Sequence, residues 1–193
     1  MYKYFKRLLD IVLSAAGLLV LSPVLLVIAV AIKLDSKGPV LFKQKRGAKG
    51  KEHFQILKFR TMYADVPKDV PTHLLADPES KITKIGRFLR KSSLDELPQI
   101  WNILVGEMSI IGPRPALWNQ FDLIAERDKY GANDVRPGLT GLAQVMGRDE
   151  LPIEVKAKYD GEYAQNVTFA NDVKIFFKTI TSVLGAKGVK EGR

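Results

Sequence analysis

The chain has 193 residues, with 30 Lys and Arg against 21 Asp and Glu, a formal net charge of +9 and 46% apolar residues. It contains no cysteine, which excludes a disulfide framework, a Cys-ligated zinc or iron–sulfur centre and a thiol nucleophile. His53 and His73 stand alone without metal-ligand spacing, which argues against Ser-His-Asp or His-metal catalysis, and the lack of long polar tracts or repeats argues against a disordered chain or a solenoid.

At the N-terminus, Lys3, Lys6, Arg7 and Asp10 fall at helical spacing opposite Phe5, Leu8, Leu9 and Val12, the pattern of a helix lying at a membrane interface. The next 22 residues, 11 to 32, hold 18 apolar residues and no charge. Without them the rest of the chain falls to about 42% apolar, an ordinary globular composition. Residues 1–35 therefore read as interfacial and membrane helix, and residues 36–193 as one cytosolic domain. The apolar run is long for a secretory signal, and the Ala29-Val30-Ala31 cleavage mimic has no polar stretch before it.

The run is long enough to span a bilayer. Two features favour a bent, re-entrant path instead. Pro23 cannot donate to the carbonyl of Leu19, so the Ser22-Pro23 pair is expected to break the helix, with the Ser22 hydroxyl available to the freed carbonyls. Basic residues flank the run on both sides (Lys3, Lys6 and Arg7, then Lys33, Lys37, Lys43, Lys45 and Arg46), and the positive-inside tendency keeps both flanks in the cytoplasm. The residues alone leave spanning and re-entrant paths both open.

Residues 33 to 62 carry nine basic and two acidic residues. Alternation around Val40 and Phe42 and from Phe54 to Phe59, with Gly47 and Gly50 between, predicts a β-hairpin with a basic tip. Residues 63 to 80 read as a loop and candidate lid. The stretch from 81 to 91 predicts an amphipathic helix, with Ile82, Ile85, Phe88 and Leu89 opposite Lys81, Lys84, Arg87, Arg90 and Lys91; its basic face suits either solvent or an anionic membrane. A helix follows through Trp101 and Leu104 to Gly106, opened either by a capping box from Ser93 to Glu96 or by Pro98 at its first position. Further helical patterns cover 116 to 130 (Leu117, Phe121, Ile124) and a final segment with Phe169, Val173, Phe176, Phe177, Ile180 and Leu184 on one face and Gly185 as its stop. The fold class is α+β: a helix-rich single domain with a small sheet.

Candidate chemistry gathers in a few motifs. Asp95 and Glu96 form an adjacent carboxylate pair at a helix start. Gly112-Pro113-Arg114-Pro115 holds Arg114 between two prolines, where a guanidinium can meet phosphate oxygens in a fixed fork. Residues 135 to 148 bring Arg136 and Arg148 with glycines that permit close backbone approach to a diphosphate. Together these suggest a phosphate ester held by arginines and magnesium.

Lys58-Phe59-Arg60-Thr61-Met62, Ser93-Leu94-Asp95-Glu96-Leu97-Pro98-Gln99, Gly112-Pro113-Arg114-Pro115 and Arg136-Pro137-Gly138-Leu139-Thr140-Gly141 resemble, in this order and over essentially the whole chain, the bacterial sugar transferase family, small monotopic phosphoglycosyl transferases acting on polyprenyl (undecaprenyl) phosphate. The resemblance implies a re-entrant membrane helix broken at Ser22-Pro23, a place among membrane lipids on the cytoplasmic face of the bacterial plasma membrane, Mg²⁺ and a UDP-sugar. It implies Asp95 and Glu96 as catalytic dyad, with Asp95 also a metal ligand. Lys58, Arg60, Arg90, Arg114, Arg136, Arg148 and Asp160 are candidates for phosphate and substrate binding. Leu142 departs from the Trp that many members carry after Thr-Gly, so sugar specificity does not transfer. The chain looks like a minimal catalytic form and is compatible with a homo-oligomer. The expected reaction moves a sugar-1-phosphate to the lipid, with Asp95 attacking phosphorus and UMP leaving, at the start of surface glycan synthesis. The rival classes, a membrane-anchored nucleic-acid binder or a non-catalytic scaffold, leave the carboxylate pair and the Arg114 loop without a role; no nucleic-acid partner is expected.

Overall fold

The computed structural model describes residues 2–67, 77–147 and 150–184. It is helix-rich with two small sheets, the α+β arrangement expected. Helix α1 (Tyr2–Asp35) is followed by strands β1 (Leu41–Gly47) and β2 (His53–Phe59), helices α2 (Lys84–Lys91) and α3 (Gln99–Val105), and strand β3 (Ser109–Ile111). Helix α4 (Phe121–Asp128), strand β4 (Gly138–Thr140) and helices α5 (Leu142–Met146), α6 (Ile153–Gln165) and α7 (Phe169–Leu184) complete the order.

The predicted hairpin is present: β1 and β2 pair antiparallel from Leu41 opposite Phe59 to Gly47 opposite His53, with Lys49–Lys51 at the tip. A second, parallel pair joins β3 to β4. Both strands are three residues long, too short for alternation to reveal them. Their glycines serve backbone packing. A Cβ on Gly138 would lie 2.1 Å from the Gly112 nitrogen, and one on Gly141 would lie 2.1 Å from the Gly112 carbonyl oxygen. The amide of Gly112 donates to Thr140 and that of Gly138 to Pro113, both at 2.8 Å. These glycines thus let two loops meet each other, where the sequence had suggested approach to a diphosphate.

α1 runs as one continuous helix through Pro23, without the interruption expected there. The Ser22 hydroxyl does donate to the Leu19 carbonyl (2.8 Å), the acceptor that Pro23 has no N–H to satisfy. The polar stripe of the first turns also departs from expectation, because all of it except the exposed Lys3 faces the domain. Lys6 pairs with Asp172 of α7 (2.7 Å), Arg7 donates to the Ile103 and Leu104 carbonyls at the end of α3, and buried Asp10 accepts from the Ser109 hydroxyl and the Ile110 amide. Meanwhile Phe5, Leu8, Val12, Leu19, Val20, Leu26, Val27, Val30 and Leu34 are exposed. At the other end of α1, Ile28 and Ile32 pack with Phe59 of β2 and Leu89 of α2, each buried side chain worth about 2 kcal/mol.

Two helices turn differently from their patterns. The segment 116 to 130 forms helix only over α4: Leu117 bridges Arg46 in strand geometry, Phe121 is exposed, and the inward residues are Leu123 and Arg127. In α7 the aromatic face points outward, with Phe169, Phe176, Phe177 and Ile180 exposed and Asp172 and Ile175 buried. α2 forms with Thr83 as its N-cap, the hydroxyl accepting from the Gly86 amide at 2.9 Å, and Phe88 is exposed. The ends of the 63 to 80 loop are drawn together by a Met62–Ile82 bridge and by the Tyr63 amide on the Lys81 carbonyl. The centre of that loop and the Gly185 stop lie outside the described residues.

Candidate active site

The carboxylate pair sits in a 3-10 turn, Leu94–Glu96, that links α2 to α3. Ser93 takes a left-handed conformation (φ 56°) and swings the chain out of α2 into that turn. The capping box is not formed. Ser93 makes no side-chain cap, and Glu96 reaches away from it; α3 instead starts after Pro98 and stops at Gly106, which adopts φ 96° as a left-handed C-cap.

Glu96 is the electrostatic hub. Its Oε1 accepts from Lys58 Nζ of β2 (2.8 Å) and from Arg114 Nη2 (2.7 Å), and its Oε2 accepts from Arg114 Nη1 (3.3 Å). Burial alone would raise the Glu96 pKa, but the Arg114 and Lys58 cations outweigh it and hold the carboxyl well below the usual range. Burial lowers the pKa of Lys58, against the pull of Glu96.

Asp95 differs in kind. Its carboxylate accepts no hydrogen bond among the described residues. Burial raises its pKa, assisted by the charge of Glu96 and opposed by Lys58, Arg90 and Arg114. Arg90 of α2 is aimed by its Nε donating to the Thr61 hydroxyl (2.9 Å). Two adjacent carboxylates thus have opposite shifts, the pattern that separates a reacting group from its supporting ion.

Not every predicted basic residue arrives here. Arg60 is 4% exposed, and its guanidinium binds the Pro39, Ser36 and Met62 carbonyls and the Ser36 hydroxyl, pinning the chain where it leaves α1. Arg136 donates to the Gly106 carbonyl at the far end of α3 from the pair. Arg60 is thus engaged with main chain and Ser36, and Arg136 stands apart from the carboxylate pair. Arg148 lies outside the described residues. Asp160 of α6 is buried in an ion pair with Arg127 of α4 (2.6 Å). Arg127 in turn donates to the Arg114 carbonyl (2.9 Å), so Asp160 reaches the site through Arg127 and Arg114.

Sequence reading missed two guanidiniums. One is Arg127. The other is Arg46 at the end of β1, whose pKa is pulled down to about 10 by burial and by the charge of Arg114, leaving it cationic at neutral pH. The Gln44-x-Arg46 alternation on one strand face was the available signal.

Among the described residues no group of three or more His, Asp or Glu is placed to hold a metal ion. Glu96 is saturated by its two cations, which leaves Asp95 as a lone carboxylate donor. A Mg²⁺ ion there would take only Asp95 from the protein and would complete its shell with water and substrate phosphates.

The chain belongs to the bacterial sugar transferase family, whose model matches residues 1–186. It is 43% identical over 188 residues to a UDP-glucose:undecaprenyl-phosphate glucose-1-phosphate transferase of Caulobacter vibrioides, covering 93% of this chain and 69% of that protein. It is 38% identical over 186 residues to an uncharacterized sugar transferase, EpsL, of Bacillus subtilis, covering 96% and 90%. A UDP-N-acetylgalactosamine-undecaprenyl-phosphate N-acetylgalactosaminephosphotransferase of Aeromonas hydrophila is 38% identical over 195 residues, 98% of this chain and 46% of that protein. The chain spans less than half the length of several curated relatives it matches.

Proposed function

We propose that the chain transfers a sugar-1-phosphate from a UDP-sugar to polyprenyl (undecaprenyl) phosphate and releases UMP, at the cytoplasmic face of the bacterial plasma membrane. The observation that carries this reading is the asymmetry of the pair: Glu96 is saturated by Lys58 and Arg114, while Asp95 stands beside the same cations with its carboxylate unengaged among the described residues. Anionic diphosphate needs cations around it, and transfer through a covalent intermediate needs an unoccupied nucleophile.

In this reading an Asp95 oxygen attacks the sugar-linked phosphorus. The bond from that phosphorus to the bridging oxygen breaks, UMP leaves, and an aspartyl phosphosugar remains. A polyprenyl phosphate oxygen then attacks the same phosphorus, the bond to Asp95 breaks, and the carboxylate is restored. Arg114 and Lys58, held by Glu96, together with Arg90, lower the repulsion between the anionic partners. Asp95 and the donor's phosphates would hold Mg²⁺, which supplies further charge neutralisation when bound. Release of UMP from a panel of UDP-sugars, with polyprenyl phosphate supplied in membranes, tests the assignment. One sugar nucleotide should support turnover that depends on the lipid, and turnover with none would sink it.

Two features of α1 support a path that keeps both its ends on one face of the membrane. Both its ends dock on the same domain, through Lys6–Asp172 at one end and through the Asp35 carboxylate on the Ile85 amide at the other. Crossing the hydrocarbon core would separate its ends by roughly 30 Å across the bilayer. Over its first turns Lys6, Arg7 and Asp10 also turn toward the domain while Phe5, Leu8 and Val12 face out, the reverse of a soluble helix. Cysteines placed at the exposed, basic positions Lys3 and Lys37 in this cysteine-free chain should both resist an impermeant thiol reagent on intact cells. Labelling of Lys3→Cys alone would mean that the helix spans.

A further inference from the structure

Arg114 stands on a loop flanked by short β3 and by a non-helical stretch, and prolines alone do not fix where such a loop sits. Two guanidiniums, that of buried Arg127 and that of partly buried Arg46, hold its carbonyls. Arg127 Nη2 donates to the Arg114 carbonyl at 2.9 Å, and Arg46 Nη1 donates to the next carbonyl, Pro115, at 3.1 Å. Each guanidinium is itself anchored. Arg127 is fixed by two bonds to Asp160 Oδ2 (2.8 and 2.6 Å), with side chains 5% and 2% exposed, and Arg46 by two bonds to Gln44 Oε1 (3.1 and 2.6 Å), with Gln44 buried.

We propose that Arg127 with Asp160 and Arg46 with Gln44 are positioning residues for the transfer reaction, gripping consecutive carbonyls so that the Arg114 guanidinium lies flat against Glu96 and beside Asp95. This rests on the function proposed above, and it gives Asp160 a role at one remove from the substrate. Electrostatic crowding fits the arrangement: Arg46 and Arg114 repel each other, so without fixed backbone anchors the loop would relax away from the hairpin. Lysine cannot replace either clamp, since an ammonium lacks the planar fork that binds an anchor and a carbonyl together.

The test is a double-mutant cycle on UMP release. Arg127→Lys should lower the rate roughly 10- to 100-fold, the range for a misplaced binding group, with the melting temperature monitored alongside. In an Arg114→Lys background the same change should lower it less than about threefold, because the group being positioned is already gone. An equal factor in both backgrounds would mean a general structural role and overturn the proposal. If Arg127→Lys does not fold, Asp160→Asn and Arg46→Lys are read through the same cycle, with the same two outcomes. Wild-type protein in the same assay reports on the function separately. Should it release no UMP, that reading falls and the cycle moves to denaturant unfolding at neutral pH, which needs no substrate. There Arg127→Lys should lower the midpoint, and should lower it less in an Arg114→Gln background, where the contact of Arg114 with Glu96 is already gone. Equal shifts in the two backgrounds would overturn the positioning role.

Discussion

Asp95→Asn should abolish UMP release altogether, with or without lipid acceptor, while leaving the protein folded and somewhat more heat-stable at neutral pH than the wild type. The loss follows from the covalent route, in which the Asp95 oxygen makes the first bond. Wild-type enzyme mixed with Mg²⁺ and the correct UDP-sugar, without polyprenyl phosphate, should release about one UMP per active site, and its intact mass should rise by one phosphosugar on Asp95. If polyprenyl phosphate attacked the donor directly, there would be no burst and no adduct in a preparation that turns over once lipid is added.

The stability gain has a separate origin. Burial raises the Asp95 pKa above its ordinary value of 3.8, so the folded state binds that proton more tightly than the unfolded chain does. Stability linked to Asp95 therefore falls as pH rises through this window, and at neutral pH the folded protein carries the cost of the ionised group. Removing the charge removes the cost. The burst should in turn fade on the acid side as Asp95 becomes protonated, at a pH above that of an ordinary aspartate.

The carboxylate pair, Lys58 and Arg114 were legible because charge clustered in short, proline-bounded motifs of the sequence. What those charges touch was not. Arg60 and Arg136 are indistinguishable from Arg114 as basic candidates in a one-dimensional reading, while in the fold the first binds the exit of α1 and the second the end of α3, since a guanidinium's partners are set by which carbonyls the fold leaves open near it. α6 escaped the pattern search because its inward positions are Ala157, Asp160, Gly161 and Tyr163, which carry no apolar period. Gly161 is required there, as a Cβ would come within 2.2 Å of Tyr130. The aromatic face of α7 and the apolar face of α1 were legible as stripes, but periodicity marks a face without saying which way it turns. Capping likewise misled: Ser93 and Glu96 have the right spacing for a box, but two partly buried cations compete for the Glu96 carboxylate and win.

That competition sets the expected behaviour of Glu96→Gln, which should be opposite in stability to its neighbour's variant. Glutamine keeps the size of the side chain but leaves Lys58 and Arg114 in partly dry surroundings without their anion. Their side chains are 15% and 31% exposed, so the cost should be about 3 kcal/mol, at the lower end for an orphaned buried ion because Arg114 retains contact with solvent. The pH dependence follows from the depressed pKa of Glu96. Its stabilising contribution is complete above its unfolded value of about 4.5 and is lost as pH falls through the lower folded value. The stability gap between wild type and Glu96→Gln should therefore be constant from neutral pH down to about 4.5 and narrow below it, measured by denaturant unfolding in detergent across that range. Activity should fall at least roughly 100-fold, because Arg114 and Lys58 would no longer be held to face the phosphate. The UMP burst without lipid should persist at a reduced rate, since Asp95 is intact. A variant that lost the burst entirely while remaining folded would show that Glu96 takes part in the bond-making step itself and is more than the counter-ion that aims Lys58 and Arg114.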